Sequence, residues 1–184
     1  GNSKWNESEE TTHYSVVDKD GSAVSVTTTI NSGYGSGITV TGAGFILNNE
    51  MDDFSSKPGV PNMFGLLGNE ANAIQPSKRP LSSMTPSIIL KDNKPFLILG
   101  TPGGSTIITT VLQNFLNVTL HDMTIKEAVD APRFHSQWMP DLIEYEKNSL
   151  SKKIIKQLEE MGHNLKLRGN IGEANGIMID ENGF

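Results

Sequence analysis

Cysteine is absent from the 184 residues, so the chain has no disulfide, no thiolate nucleophile and no cysteine-based metal site. Long apolar runs are also missing. The most apolar stretch, residues 107–120, is interrupted by Thr, Gln and Asn and is too polar to cross a bilayer. An excess of basic residues is lacking as well: the net charge is −6, and the scattered Lys and Arg residues argue against a nucleic-acid partner.

Several common catalytic motifs are missing too. There is no Gly-x-Ser-x-Gly elbow and no Gly-x-x-x-x-Gly-Lys phosphate loop, which removes the commonest hydrolase and nucleotide-binding interpretations. The four histidines, among them His13 and His135, lack the spacing of metal ligands. We therefore predict neither a metal site nor a cofactor.

The composition that is present, 36% hydrophobic and 20% charged residues, is typical of one globular domain. Residues 1–10 are polar and acidic, without apolar periodicity and without a signal-peptide pattern. We expect them to form an exposed arm, and we expect residues 11–184 to form the domain. The final turn at residues 182–184 has no partner strand after it, which suggests truncation or disorder.

Alternation of polar and apolar residues predicts two β-hairpins. The first pairs residues 13–17 with residues 23–30 around a tight turn and has Thr11 at its mouth, and the second pairs residues 85–90 with residues 95–100. A further short strand is expected at residues 42–47. Residues 55–79 carry prolines, glycines and asparagines without any period, a pattern more typical of a lid or binding loop than of a plain connection.

Helical periodicity follows the second hairpin. Apolar residues at three- and four-residue spacing predict one buried helix face, formed by Ile107, Ile108, Val111, Leu112, Phe115 and Leu116. Thr124 and Glu127 form a capping box for a short second helix ending near Pro132. Ser149 or Ser151 begins a third helix, with an apolar stripe at Ile154, Ile155, Leu158 and Met161 and a stop at Gly162. Closing strands are expected at residues 165–167 and 175–179. This order favours an α+β layered sandwich over a βαβ parallel sheet.

Local pattern alone leaves the candidate chemistry open. The turn at residues 101–104 either exposes backbone N–H groups to an oxyanion at a helix N-terminus or only reverses the chain. Ser82 and Ser83 are either ligand hydroxyls or turn residues. The Asp52-Asp53 pair either binds an ammonium group or is solvated. A Thr-Thr pair at a strand start is usually structural, since β-branched residues suit the pleat.

Several segments together resemble one known family. They are TTHYSVVDKDG at residues 11–21, LNNEMDDF at 47–54, KRPLSSM at 78–84, TPGGS at 101–105 and APRFH at 131–135. In this order they resemble the small subunit of γ-glutamyltransferase (γ-glutamyltranspeptidase), and the resemblance covers residues 11–184. Several long matches in one order are far more specific than any one of them.

The resemblance implies an N-terminal nucleophile hydrolase with a four-layer αββα sandwich, partial without the large subunit. In that family one precursor cuts itself immediately before the nucleophilic threonine, which matches Thr11. The freed α-amine then acts as the base toward its own hydroxyl. Thr29 matches a residue that hydrogen-bonds the nucleophile, and Gly103 and Gly104 match the oxyanion hole.

The resemblance also implies a site for the α-amino and α-carboxylate groups of a glutamyl donor. Glu50 and Asp53 match positions that bind the ammonium group. The α-carboxylate or α-amino group is contacted at positions matching Asn31, Ser82 and Ser83, and an arginine of the large subunit completes the carboxylate site. Residues 58–79 resemble the lid loop of one branch of the family. Its closing aromatic is often a tyrosine bonded to the position of Asn31, whereas this chain has Phe64, which lacks the hydroxyl for that bond.

The resemblance implies the following function: transfer of a γ-glutamyl group from glutathione-like donors, through an ester on Thr11, to water, an amino acid or a peptide. The expected partner is the large subunit of the same precursor, in a heterodimer, and the expected location is periplasmic or extracellular. A cephalosporin-type acylase or a poly-γ-glutamate depolymerase with the same nucleophile is an alternative. The expected ammonium-binding pair, Glu50 and Asp53, favours a glutamyl substrate over an acylase substrate. A non-catalytic partner or an uncleaved, inactive precursor fragment is another, if the Glu10–Thr11 bond is intact. If that bond has been cut, residues 1–10 are instead the tail of the large subunit, numbered continuously with the small one.

Overall fold

A computed structural model describes residues 11–180. The predicted arm at residues 1–10 and the predicted chain end at residues 182–184 lie outside these described residues. The regular elements are β1 (Thr12–Val17), β2 (Ala23–Thr28), β3 (Ser87–Lys91), β4 (Lys94–Gly100), α1 (Ile107–Leu120), α2 (Ile125–Asp130), β5 (Phe134–His135), β6 (Ile143–Tyr145), α3 (Lys152–Glu160), β7 (Leu165–Leu167) and β8 (Asn175–Met178). Short 3-10 helices occur at Glu50–Asp53, Glu70–Asn72 and Gly104–Thr106.

The first hairpin, β1–β2, is confirmed. Its strands are antiparallel and Thr12 pairs with Thr28. Because side chains alternate across a strand, Thr11 and His13 share the buried face, whereas Thr12 and Tyr14 are exposed. One step beyond the Thr12–Thr28 pair, the same register brings Thr11 opposite Thr29. The hairpin therefore places both threonines at its open end.

The second hairpin is also confirmed, and it forms a three-stranded antiparallel sheet in the order β3–β4–β8. The β1–β2 sheet packs against this sheet, and Ser25 Oγ donates a hydrogen bond to the carbonyl of Leu99. Helices α1 and α2 pack against β4 and β8. Apolar side chains at this junction form the core: Leu97, Leu99, Ile107, Val111, Val118 and Ala128. Two sheet layers and one helical layer confirm the α+β class.

The remaining elements form a smaller unit. Strands β6 and β7 are parallel and are joined through α3, and β5 pairs antiparallel with β6. The predicted sandwich did not include this local βαβ connection. The N-cap of α3 is Ser151, and Thr124 and Glu127 form the predicted capping box of α2. No helix within residues 11–180 has the length and apolarity needed to span a bilayer.

Two sequence predictions about these elements were wrong. Residues 42–47 do not form a strand, because the chain turns there and only Thr39 and Ile46 form an isolated bridge. On α1 the buried face includes Thr110 and Asn114, while Ile108 and Leu112 are about half exposed. Periodicity located that helix but misplaced its buried face, since two polar residues turn toward the sheet. The apolar stripe of the third helix is only partly covered: Ile155 and Leu158 are half-buried, whereas Ile154 and the C-cap residue Met161 are exposed.

Candidate active site

A cleft lies where the open end of the β1–β2 hairpin meets the turn after β4. Its lining comprises Thr11, Thr29, Asn31, Asp53, Phe64, Leu66, Ser82, Ser83, Met84, Gly104, Ser105 and Ile107. The structure thus brings together every site residue predicted from sequence except Glu50, which lies beside Asp53, and Gly103, which precedes Gly104. Sequence reasoning missed Leu66, Met84, Ser105 and Ile107, although Met84 and Ser105 directly follow predicted site residues.

Thr11 and Thr29 form the hydroxyl pair of the cleft. Thr11 is buried, with 8% of its surface exposed. Thr29 Oγ1 accepts a hydrogen bond from the backbone N–H of Asn31 at 2.9 Å. This bond occupies a lone pair of the Thr29 oxygen and leaves its own proton available to a neighbouring acceptor. The pair therefore suits a nucleophile with an adjacent hydroxyl donor.

The turn between β4 and α1 has a backbone that only glycine adopts readily. Gly103 has φ of 138° and Gly104 has φ of 55°. A Cβ on Gly103 would lie 2.7 Å from Thr106 Oγ1, so a side chain there is excluded by space as well as by conformation. The turn leads through the 3-10 helix Gly104–Thr106 into α1, whose N-terminal dipole favours a developing negative charge.

Two carboxyl groups lie side by side at the cleft. Burial, followed by the hydrogen bond to Asp53 and the charge of Asp53, raises the pKa of Glu50 to about 7. Burial also raises the pKa of Asp53, against the hydrogen bond from Glu50 and together with the charge of Asp52. The carboxyl pair therefore holds a proton, on Glu50, up to about neutral pH. A ligand ammonium group has the charge and the donors to replace that proton.

Ser82 and Ser83 line the same cleft as Asp53, and Asn72 connects the two segments that carry them. Asn72 Nδ2 donates to the carbonyl of Asp53 at 2.7 Å, and Asn72 Oδ1 accepts from the backbone N–H of Leu81 at 2.9 Å. Leu81 directly precedes Ser82 and Ser83. One amide side chain thereby links the segment of Asp53 to the segment of the two serines.

The loop at residues 55–79 has little regular structure but is well bonded. Asn62 Oδ1 accepts hydrogen bonds from the backbone N–H groups of Phe64 and Leu66, each at 3.0 Å. This turn directs the Phe64 ring over Gly104, where a Cβ on the glycine would lie 3.6 Å from the ring. Asn31 Nδ2 contacts the carbonyl of Asn49 at 3.2 Å and Met63 Sδ at 3.8 Å. The role of Phe64 as a lid residue stays a prediction.

His13, two residues after Thr11, is held by hydrogen bonds within the fold. His13 Nδ1 contacts Thr27 Oγ1 at 2.8 Å and Nε2 contacts Ser15 Oγ at 3.1 Å. Burial lowers the pKa of His13, so its ring is neutral near pH 7. Its ring fills the space beside Gly100, where a Cβ would approach within 2.0 Å. Within residues 11–180, no group of three or more His, Asp or Glu side chains is placed to hold a metal ion.

Comparison with known proteins decides the family. The family model described as gamma-glutamyltranspeptidase matches residues 1–184. This chain belongs to the gamma-glutamyltranspeptidase family. It is 52% identical over 177 residues to the glutathione hydrolase proenzyme of Escherichia coli strain K12. A solved threonine-to-alanine mutant of Helicobacter pylori gamma-glutamyltranspeptidase superposes with a TM-score of 0.89 at 55% identity, covering 94% of each chain.

The match to the Escherichia coli proenzyme covers nearly all of this chain but only part of the relative. It covers 96% of this chain but only 30% of the Escherichia coli proenzyme, so the chain spans about a third of that relative's length. A more distant likeness is the cephalosporin acylase of Bacillus halodurans, with a TM-score of 0.78 at 25% identity over 97% of this chain and 33% of that one. These likenesses confirm the N-terminal nucleophile hydrolase fold expected from the sequence.

Proposed function

We propose that this chain is the catalytic small subunit of a γ-glutamyltransferase. It takes the γ-glutamyl group from glutathione or a similar donor as an ester on Thr11 and passes it to water, an amino acid or a peptide. The observation that carries the proposal is the placement of Thr11, Gly104, Asp53 and Ser82 around one cleft. A nucleophile, an oxyanion turn and binding groups for both charges of a glutamyl α-carbon are thereby combined.

Maturation comes first in this proposal. Thr11 Oγ attacks the carbonyl carbon of Glu10, and the acyl group moves from the nitrogen of Thr11 to its oxygen. Water then hydrolyses the ester and releases the new carboxyl group of Glu10. The freed α-amine of Thr11, with a reference pKa of about 7.7–8.0, is partly neutral near pH 7 and is a suitable base.

Transfer then proceeds in two steps. The α-amine takes the hydroxyl proton of Thr11 as Oγ forms a bond to the γ-carbonyl carbon of the donor, and it returns the proton to the departing amine as the C–N bond breaks. Water or an acceptor amine then attacks the ester, loses its proton to the same base, and restores the hydroxyl of Thr11. The Gly103 and Gly104 N–H groups stabilise the oxyanion in each step, and removing one such donor typically costs about 10²–10³ in rate.

Donor recognition in this proposal divides between two sides of the cleft. Asp53 and Glu50 hold the α-ammonium group, and Ser82, Ser83 and Asn31 hold the α-carboxylate through hydroxyl and amide donors. We propose that an arginine of the large subunit completes the carboxylate site and that the heterodimer works in the periplasm or outside the cell. The match covers only 30% of the Escherichia coli proenzyme, which supports a second subunit from the same precursor.

The assay that tests the function compares three anilides on the processed two-subunit protein. γ-Glutamyl anilide carries both α-groups, glutaryl anilide lacks the ammonium group, and 4-aminobutyryl anilide lacks the carboxylate. We expect hydrolysis of the first, with a much lower kcat/KM for the other two. A preference for glutaryl anilide would instead favour the acylase alternative, because that activity does not need the Glu50–Asp53 pair.

The proton held on Glu50, beside Asp53, predicts a pH dependence of donor binding. As pH rises through about 7, Glu50 ionises and the pair gains the charge that an ammonium group needs, so KM for γ-glutamyl anilide should fall. Glu50→Gln should remove this dependence. A wild-type KM that is flat across that range, or a Gln variant that keeps the dependence, would count against the carboxyl pair as the ammonium site.

The raised pKa of Glu50 also makes stability depend on pH, and stability falls with rising pH where donor binding improves. Because the pKa of Glu50 is raised from 4.5 to about 7, the folded state binds more protons than the unfolded state between these values. The contribution of Glu50 to the free energy of unfolding therefore decreases as pH rises through this window. Ionised Glu50 destabilises the free protein and at the same time improves donor binding.

The lid residue gives a further prediction. Phe64→Tyr adds a hydroxyl near Asn31, and one hydrogen bond of about 0.5–1.5 kcal/mol would favour the closed lid by about 2- to 10-fold. We expect the ratio of transfer to hydrolysis to rise accordingly, since a closed lid restricts water. The ratio is measured from anilide release with and without an acceptor dipeptide. Phe64→Leu is the control for changed packing, and an unchanged ratio in the tyrosine variant would contradict the lid role.

A further inference from the structure

Two buried threonines bind the carbonyl groups of the oxyanion turn. Thr101 Oγ1 donates to the carbonyl of Pro102 at 2.6 Å. Thr106 donates to the carbonyl of Gly103 twice, from its backbone N–H at 3.0 Å and from Oγ1 at 2.8 Å. Both threonine side chains are completely buried. Neither hydroxyl belongs to the cleft lining, so direct contact with a substrate does not explain them.

The geometry of the peptide bond relates these carbonyl contacts to the directions of the neighbouring N–H groups. A trans peptide group is planar, and its N–H points opposite to its C=O. The carbonyl of Pro102 shares a peptide group with the N–H of Gly103, and the carbonyl of Gly103 shares one with the N–H of Gly104. Fixing the two carbonyl oxygens therefore fixes the directions of the two N–H groups.

We infer that Thr101 and Thr106 are positioning residues that orient the two oxyanion-hole donors. Glycine imposes no preferred direction on these peptide groups, since its backbone reaches many conformations at similar energy. Without the threonine hydroxyls, each peptide plane would rotate more freely and the donors would spend less time aimed at the oxyanion. Donors aligned before reaction need no reorganisation in the transition state, which is the source of their effect.

Contacts behind the turn support the same role. Thr101 Oγ1 also accepts a hydrogen bond from the backbone N–H of Glu173 at 2.9 Å, so both capacities of its hydroxyl are used. A Cβ on Gly103 would lie 3.2 Å from the Cα of Gly172, which shows how closely the two segments approach. The loop before β8 therefore supports Thr101 while Thr101 holds Pro102.

The test rests on the proposed function and uses Thr→Val, which removes a hydroxyl while nearly conserving shape. Thr110 is a matched control: it is completely buried on the adjoining helix, and its hydroxyl has no hydrogen-bond partner within residues 11–180. Kinetics of γ-glutamyl anilide hydrolysis are measured on the processed two-subunit protein for Thr101→Val, Thr106→Val, Thr110→Val and the corresponding serine variants at positions 101 and 106.

We expect kcat to fall by about 10-fold or more in Thr101→Val and Thr106→Val, short of the roughly 10²–10³ that follows outright loss of a donor. KM should stay near the wild-type value, and serine at either position should restore most of kcat. Thr110→Val should resemble wild type. A boronic acid analogue of the γ-glutamyl group, which becomes a tetrahedral anion on the nucleophile, should lose affinity in parallel with kcat.

Several outcomes would overturn the inference. The first is a kcat in the two valine variants equal to that of Thr110→Val. The second is a loss of kcat that serine does not restore, because changed packing of the threonine methyl group would then explain the loss. If a valine variant fails to cleave itself before Thr11, its kcat cannot be measured, and its thermal unfolding is compared with that of Thr110→Val instead. Normal unfolding supports positioning, whereas a large loss of stability contradicts it. A wild-type protein without γ-glutamyl hydrolysis would instead refute the proposed function.

Discussion

Thr11→Ala is expected to abolish both self-cleavage and γ-glutamyl turnover. In the proposed mechanism, Thr11 supplies the attacking oxygen in maturation and in catalysis, and its α-amine exists only after the cut. Loss of a nucleophile in a hydrolase that forms an acyl intermediate lowers kcat by a factor on the order of 10⁵–10⁶. The variant should therefore remain a single uncut chain, visible by intact mass, without measurable anilide hydrolysis.

The neighbouring threonine supplies a matched control. Thr12 is exposed on the opposite face of β1, so Thr12→Ala should be cut and should turn over substrate at close to the wild-type rate. Thr11→Ser keeps a hydroxyl at the same position and should retain both reactions at reduced rates. Appreciable turnover by Thr11→Ala, or equal loss in both alanine variants, would reject Thr11 as the nucleophile.

Asp53→Asn is expected to raise KM for γ-glutamyl anilide while leaving self-cleavage unchanged. The substitution keeps the shape of the side chain but removes the charge that we propose binds the donor ammonium group. A hydrogen bond to a charged group contributes about 1.5–3 kcal/mol, which corresponds to a loss of about 10- to 150-fold in kcat/KM. Glutaryl anilide lacks the ammonium group, so the variant should hydrolyse it as well as the wild type does.

Asp52→Asn is the control for this prediction. Asp52 adjoins Asp53, but its Oδ2 accepts the backbone N–H of Met63 at 3.2 Å, a bond that an asparagine oxygen can also accept. The control removes a neighbouring charge but leaves the Asp53 carboxylate in place, so KM should change far less than in Asp53→Asn. An equal loss of self-cleavage and donor hydrolysis in Asp53→Asn would indicate a structural role, and an equal loss with both anilides would exclude selective ammonium binding.

The sequence predicted those parts of the site that depend on local pattern. Alternation and a tight turn located β1–β2, and the register observed in the structure then places Thr29 opposite Thr11. The glycine pair at residues 103 and 104, directly before a helical pattern, indicated a turn, and in the structure both glycines have positive φ. The roles of these residues came from the family resemblance, and they stay predictions.

Contacts between segments distant in the chain could not be predicted from the sequence. The hydrogen bond from Glu173 to Thr101 joins residues 72 positions apart, and Asn72 connects Asp53 to Leu81 through a loop with no periodicity. The exposure of Ile108 and Leu112 was missed for a related reason, since apolar spacing does not reveal which face of a helix meets the sheet. Each of these features depends on tertiary packing.

The central claim is that Thr11 carries the γ-glutamyl group as an ester. The most direct measurement is rapid acid quenching of the processed protein during turnover of γ-glutamyl anilide, followed by mass spectrometry of this chain and its N-terminal peptide. We predict a chain that begins at Thr11 and whose mass increases by one γ-glutamyl group, located on Thr11. A modified residue elsewhere, or full turnover by a chain still joined at Glu10–Thr11, would contradict the claim.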